Sequence, residues 1–162
     1  MGKARSMRLW RKEVTRKAVE ALLRAEDYAG ARAIGPRSLP YLRSIVEGDD
    51  WHLAAKAVHV AGLLNLDESL PIIELAARSR QTVLRVAAAA AAASLAPHRG
   101  EQVLKRLLKS RDVGIRKWAI RSAGAAGTES LRATLDGIRR GDPSDGLRSL
   151  ASRTLTKRTH RS

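Results

Sequence analysis

The chain has 162 residues, no cysteine, and 31 Lys and Arg against 16 Asp and Glu, a net charge of +15. That length buries a core without disulfides or metal, and the composition excludes a disulfide-stapled secreted domain, a Cys-ligated zinc module, an iron–sulfur protein and a wholly disordered chain. With 27 Ala and 21 Leu but no Phe, the core must be small and aliphatic, and Ala and Leu are strong helix formers.

The N-terminus, MGKARSMRLWRKEVTRK, has charges every two or three residues where a signal peptide would be apolar. It predicts a basic helix over residues 6–24 and a cytoplasmic protein. Gly2 with Ser6 matches a short myristoylation pattern beside Lys3, Arg5, Arg8, Arg11 and Lys12, but two residues are too little to predict membrane contact. The longest apolar run, Val86 to Ala96 interrupted by Ser94, falls short of the roughly 20 residues a spanning helix needs and reads as a buried helix.

From there the chain repeats. Ser38-Leu39-Pro40 recurs 31 residues on as Ser69-Leu70-Pro71, and the same offset aligns Leu22, Leu53, Leu84 and Ile115, then Leu147 after one extra residue. Ala57, Ala88, Ala119 and Ala151 follow it too. Within a unit, Leu53, Ala57, Val60, Ala61 and Leu64 share one helical face. A second helix follows each, with acidic or hydroxyl residues before it and Pro40 and Pro71 in the first turn. Gly48, Gly100, Gly127 and Gly141 read as joints. The parse is four helical pairs over 19–48, 50–79, 81–111 and 112–141, then a closing helix over 143–157 and a tail, 158–162. Such pairs bury their apolar faces only by stacking, so the expected fold is all-α, a right-handed α-solenoid with capping helices at both ends. The weakest boundary is in the first unit, where Tyr28-Ala29-Gly30 can break the helix.

The steps Val83-Leu84-Arg85, Asp112-Val113-Gly114-Ile115-Arg116 and Asp145-Gly146-Leu147-Arg148, each opening a small-residue helix, resemble HEAT-like repeats, particularly the short form of phycobilisome-lyase-type repeats. The resemblance covers residues 19–157 and departs at Ala54, where the Arg would fall, and at Thr82, which no acid precedes. It implies a scaffold shared by adaptors, lyases and nucleic-acid enzymes rather than one activity. Arg85, Arg116 and Arg148 then read as a structural ladder tying consecutive repeats through carboxylates or helix-end carbonyls.

Charge is uneven: +6 over residues 1–24, zero over 25–100, +5 over 101–121 and +4 over 122–162. If second helices line a concave side, Lys105, Arg106, Lys109, Arg132, Arg139 and Arg140 form a basic stripe along one groove, flanked by Lys117, Trp118 and Arg121. Such a stripe grips an acidic protein surface or phosphates; the scarcity of aromatic residues for base stacking favours protein, with Trp118 as a half-exposed anchor. No catalytic group, metal site or cofactor is expected. His52, His59, His98 and His160 lack ligand spacing, and no phosphate-cradling glycine loop is present. Two enzyme readings remain through the resemblance: a HEAT-like alkylpurine DNA glycosylase, for which Trp51 beside Asp50 and Trp118 with Arg121 supply ingredients, and a bilin lyase.

Overall fold

The computed structural model describes residues 13–157, and among them every regular element is helical: ten α-helices joined by short turns, two of which contain a single 3-10 turn. In chain order these are α1 (Arg16–Arg24), α2 (Tyr28–Ala33), α3 (Leu39–Val46), α4 (Trp51–Leu64), α5 (Leu70–Ala77), α6 (Thr82–Ser94), α7 (Pro97–Leu108), α8 (Val113–Ala126), α9 (Glu129–Gly141) and α10 (Asp145–Thr156).

They stack in two layers. The first helices of the units, α4, α6, α8 and the closing α10, pack side by side, and the second helices, α3, α5, α7 and α9, form the other layer. Four of the five predicted rungs are buried: Leu53, Leu84, Ile115 and Leu147 are each at most 5% exposed. The two layers differ in side-chain size. The first is built on Ala57, Ala61, Ala88, Ala91, Ala92, Ala119 and Ala123, the second on Leu42, Ile73, Leu104, Leu107, Leu131 and Leu135. Small side chains let α4 and α6 approach until a Cβ on Gly62 would stand 2.9 Å from the Ala91 Cα, and this pair makes the most extensive helix contact among the described residues.

Helix starts follow sequence chemistry. Thr15, Asp27, Asp50, Asp112, Thr128 and Ser144 each accept a backbone N–H of the first turn. Gln81, before α6, makes no such bond. Two helices stop on left-handed residues, α4 at Asn65 (φ 51°) and α8 at Gly127 (φ 67°). Asn65 also joins units: its side-chain oxygen accepts the Ala96 N–H at 2.9 Å, its carbonyl accepts Arg99 at 2.9 Å, and Arg99 pairs with Asp67 at 2.7 Å.

The first unit departs from the parse. The part of the expected 6–24 helix up to residue 12 lies outside the described residues, as do the Gly2–Ser6 pattern, Trp10 and His160. What is described is not one helix: residues 13–15 are not helical and α1 starts at Arg16, because Thr15 (φ −118°, ψ 156°) caps it. The chain breaks again at 25–27, where Glu26 is left-handed and Asp27 starts α2. Tyr28–Ala33 is therefore the remnant of a first helix, one period before His59–Leu64, and the Tyr28 ring meets His59 edge-on at 4.8 Å. The rung at Leu22 moves with the break, and Val19 and Leu23 fill the core instead. Gly100 is a further correction: it lies inside α7 rather than at a joint.

Candidate partner-binding surface

Arg85, Arg116 and Arg148 sit one period apart in α6, α8 and α10. Arg116 is the most deeply set: it donates to the Asp142 carboxylate at 3.0 and 3.2 Å and to the carbonyls of Ser110 and Arg111 at 2.8 and 3.2 Å. Burial alone would raise the Asp142 carboxyl, but the Arg116 hydrogen bonds, the Ser144 N–H and the nearby Arg148 charge outweigh it and hold it below its ordinary value. Arg85 faces Asp112 at 3.6 Å, while Arg148 donates to the Asp142 carbonyl at 2.6 Å and pairs with Asp145. Arg85 and Arg116 thus each reach the acid that precedes the first helix of the next unit, and Arg148 reaches the turn before its own helix.

Five of the six cations of the expected stripe line two hollows. Lys105, Arg106 and Lys109 of α7 line a shallow hollow of about 330 Å³ with Gln102, whereas Arg132 and Arg139 of α9 line a different one, about 560 Å³, together with Asp136 and residues of α10. Three of the six are already in ion pairs: Lys105 pairs with Glu101 at 2.7 Å, and Arg139 and Arg140 share Asp136, each at 2.7 Å. The Arg139 hydrogen bonds, first among the causes, hold Asp136 below its ordinary value.

Glu101 is a fastener. It accepts from Lys105, Ser130 and the Thr128 hydroxyl, so its carboxyl is lowered to about 2; Thr128 in turn caps α9. A group whose folded pKa is depressed stabilises the fold above its unfolded value and loses that contribution as pH falls through the folded one. Glu101→Gln is therefore expected to lower the urea midpoint at neutral pH, and the gap from the parent should close as pH falls from about 4.5 towards 2. Urea titrations at the two ends of that window measure it.

What remains unpaired is concentrated elsewhere. Lys117 and Arg121 of α8, with Arg153 of α10 and Lys157 just after it, are exposed and have no carboxylate partner among the described residues. Trp118 is 44% exposed, and the Arg121 guanidinium lies 5.4 Å from the centroid of its ring. Arg153 and Lys157 escape a reading that follows only the second helices. The repeat itself points to Arg153, which falls one period after Arg121 once the extra residue is counted.

The enzyme ingredients are not gathered into one cleft. Asp50 caps α4 by accepting the Leu53 N–H at 3.0 Å and pairs with Arg24 at 3.3 Å; those bonds, the backbone one foremost, hold it low. Trp51 stacks on His52 at 3.6 Å and lines a hollow with Glu47, Leu75 and Arg78, apart from Trp118 and Arg121. Among the described residues no group of His, Asp and Glu is arranged to hold a metal ion. No described helix is long and apolar enough to cross a membrane.

Comparison with known proteins places this geometry. No curated protein matches the sequence. Among solved structures, the complex of CpcE and CpcF of phycocyanin lyase from Nostoc sp. PCC7120 contains a chain that superposes with a TM-score of 0.70 over 87% of this chain and 98% of its own, at 14% identity, a likeness of fold. The family profile described as HEAT repeats matches residues 69–156, more than half of the chain and the stretch from the α5 turn through α10. A solenoid of stacked helix pairs with the 31-residue rungs and the arginine steps at their helix starts thus belongs to the HEAT repeat family.

Proposed function

We propose that this chain is a non-enzymatic HEAT-repeat interaction module that recognises an acidic surface on a partner protein through the cations of its C-terminal half. One observation carries the reading. Of the six acids of that half, Glu101, Asp112, Asp136, Asp142 and Asp145 are held in ion pairs and Glu129 is exposed, while Arg106, Lys109, Lys117, Arg121, Arg132, Arg153 and Lys157 are left facing solvent. A solvated basic face assists solubility, but one carrying an exposed Trp beside Arg has the composition of interface hot spots. A solved chain of similar length and fold taken from a two-protein complex supports a protein partner over nucleic acid.

That same likeness favours a second reading, a subunit of a two-chain lyase. Under it the partner is a further solenoid, and activity appears only when both chains are present.

Binding is expected to weaken steeply with salt, because exposed charges are screened beyond about 8–10 Å at physiological ionic strength. Protein isolated at low salt should carry a stoichiometric acidic protein that 0.5 M salt, an order-of-magnitude choice well above the screening range, releases. Replacing Arg106 and Lys109 together with Arg121 and Arg153 by Glu should abolish the association without changing the circular dichroism. Retention of the partner by that variant would overturn the proposal; a high 260 nm absorbance removed by salt would replace protein with nucleic acid.

A further inference from the structure

Three of the unpaired cations meet apolar surface in a single groove. Between the neighbours α8 and α10 runs a groove of about 490 Å³, lined on its charged side by Arg121, Arg153 and Lys157 and elsewhere by Gly124, Ala125, Leu150 and Thr154. No carboxylate lines it. Residues 1–12 and 158–162 contain no Asp or Glu either. Trp118 stands one turn before Arg121 on α8 and is held against its guanidinium. Like charges gathered without an internal counter-charge repel one another and favour whatever brings negative charge to them.

We infer that this groove docks an acidic, partly apolar segment of the partner protein, its carboxylates on Arg121, Arg153 and Lys157 and an apolar side chain on Trp118 and Leu150. The inference rests on the acidic-partner reading above and names the place where it acts. Arginine binds a carboxylate with two parallel donors, and a half-exposed Trp offers area at low entropic cost. The extent of the patch argues for a peptide rather than a nucleic-acid backbone. A polyanionic strand needs cations along its whole track, whereas one period before Lys117 and Arg121, on the neighbouring α6, stand Val86 and Ala90. The positive surface of this layer ends after two helices.

The test uses the full chain with Trp10→Phe and Trp51→Phe, which leaves Trp118 as its one tryptophan. The probes are a synthetic 16-residue peptide of Glu and Leu at helical spacing and a 16-nucleotide oligothymidylate, each titrated while Trp118 emission is read. The peptide is expected to change the emission saturably as it displaces Arg121 from the indole. Arg121→Gln with Arg153→Gln should weaken it on the order of tenfold or more. Arg106→Glu with Lys109→Glu, on the other layer, should leave it within about twofold, the size of a distant rim effect. Peptide binding that is lost only in the α7 variant would overturn the groove while leaving the acidic-partner reading standing. Binding of the oligothymidylate alone would overturn the peptide as occupant. Absence of any binding by the peptide would overturn both.

Discussion

Replacing Arg116 by Met is expected to cost about 3–5 kcal/mol, among the largest losses available to a single side chain here. The Asp142 carboxylate is 6% exposed and the Arg116 side chain 13%, so the variant leaves a buried charge with the Ser144 N–H, 2.9 Å away, and the nearby Arg148 charge to hold it. Two backbone carbonyls at the α7–α8 turn lose their donor as well. The loss should be far smaller when Arg116→Met is made on an Asp142→Asn background, where no buried charge is stranded. Denaturant titration of the four proteins of that cycle gives the coupling, expected to exceed about 1 kcal/mol. Acid should reproduce part of the effect. The Asp142 carboxyl titrates below its ordinary 3.8, so its contribution is intact above that value and disappears as pH falls through the folded one. The parent should therefore lose its advantage over Asp142→Asn in acid, and equal stabilities of Arg116→Met and the parent at neutral pH would show that the ladder carries no load.

The repeat is legible because its signal is redundant: rung, turn and arginine step share one period, and a residue such as Ile115 is buried in the only register that lets all of them recur. Breaks in the repeat are harder to read. Glu26 adopts a left-handed conformation that its side chain gives no hint of, and the helix start after it is set by Asp27, whose carboxylate accepts the Gly30 N–H at 2.8 Å. Gly30, the apparent breaker, sits inside α2. The binding surface is legible only in part. That charge collects after residue 100 follows from counting, and the i,i+4 spacing of Glu101 with Lys105 and of Asp136 with Arg140 already announces their pairing. Which layer the remaining cations occupy is a tertiary fact. Arg121 and Arg153 become neighbours only because α8 and α10 stack with no second helix between them.

Gly100 shows the same limit from the packing side and yields the sharpest contrast in stability. A methyl group at this position would overlap the backbone carbonyl oxygen of Ala92 and stand 2.8 Å from its carbonyl carbon. Neither is a side chain that can turn away, so relief requires α7 to move off α6 and to open the core that Val103, Leu104 and Leu107 form with the alanines of α6. Gly100→Ala should therefore cost more than about 3 kcal/mol, above the ordinary overpacking range because backbone must shift, and lower the Tm by on the order of 10 °C for a chain of this size. Gly137→Ala makes the opposite prediction with the same chemical change. Gly137 is exposed in the middle of α9, and a Cβ there meets nothing within 4 Å, so the substitution removes unfolded-state freedom without strain and should add about 0.5–1 kcal/mol. Thermal melts of the two variants should therefore move to opposite sides of the parent. A Gly100→Ala protein as stable as the parent would mean that α6 and α7 lie farther apart than the close approach described, and the alanine layer would lose its reason for being small.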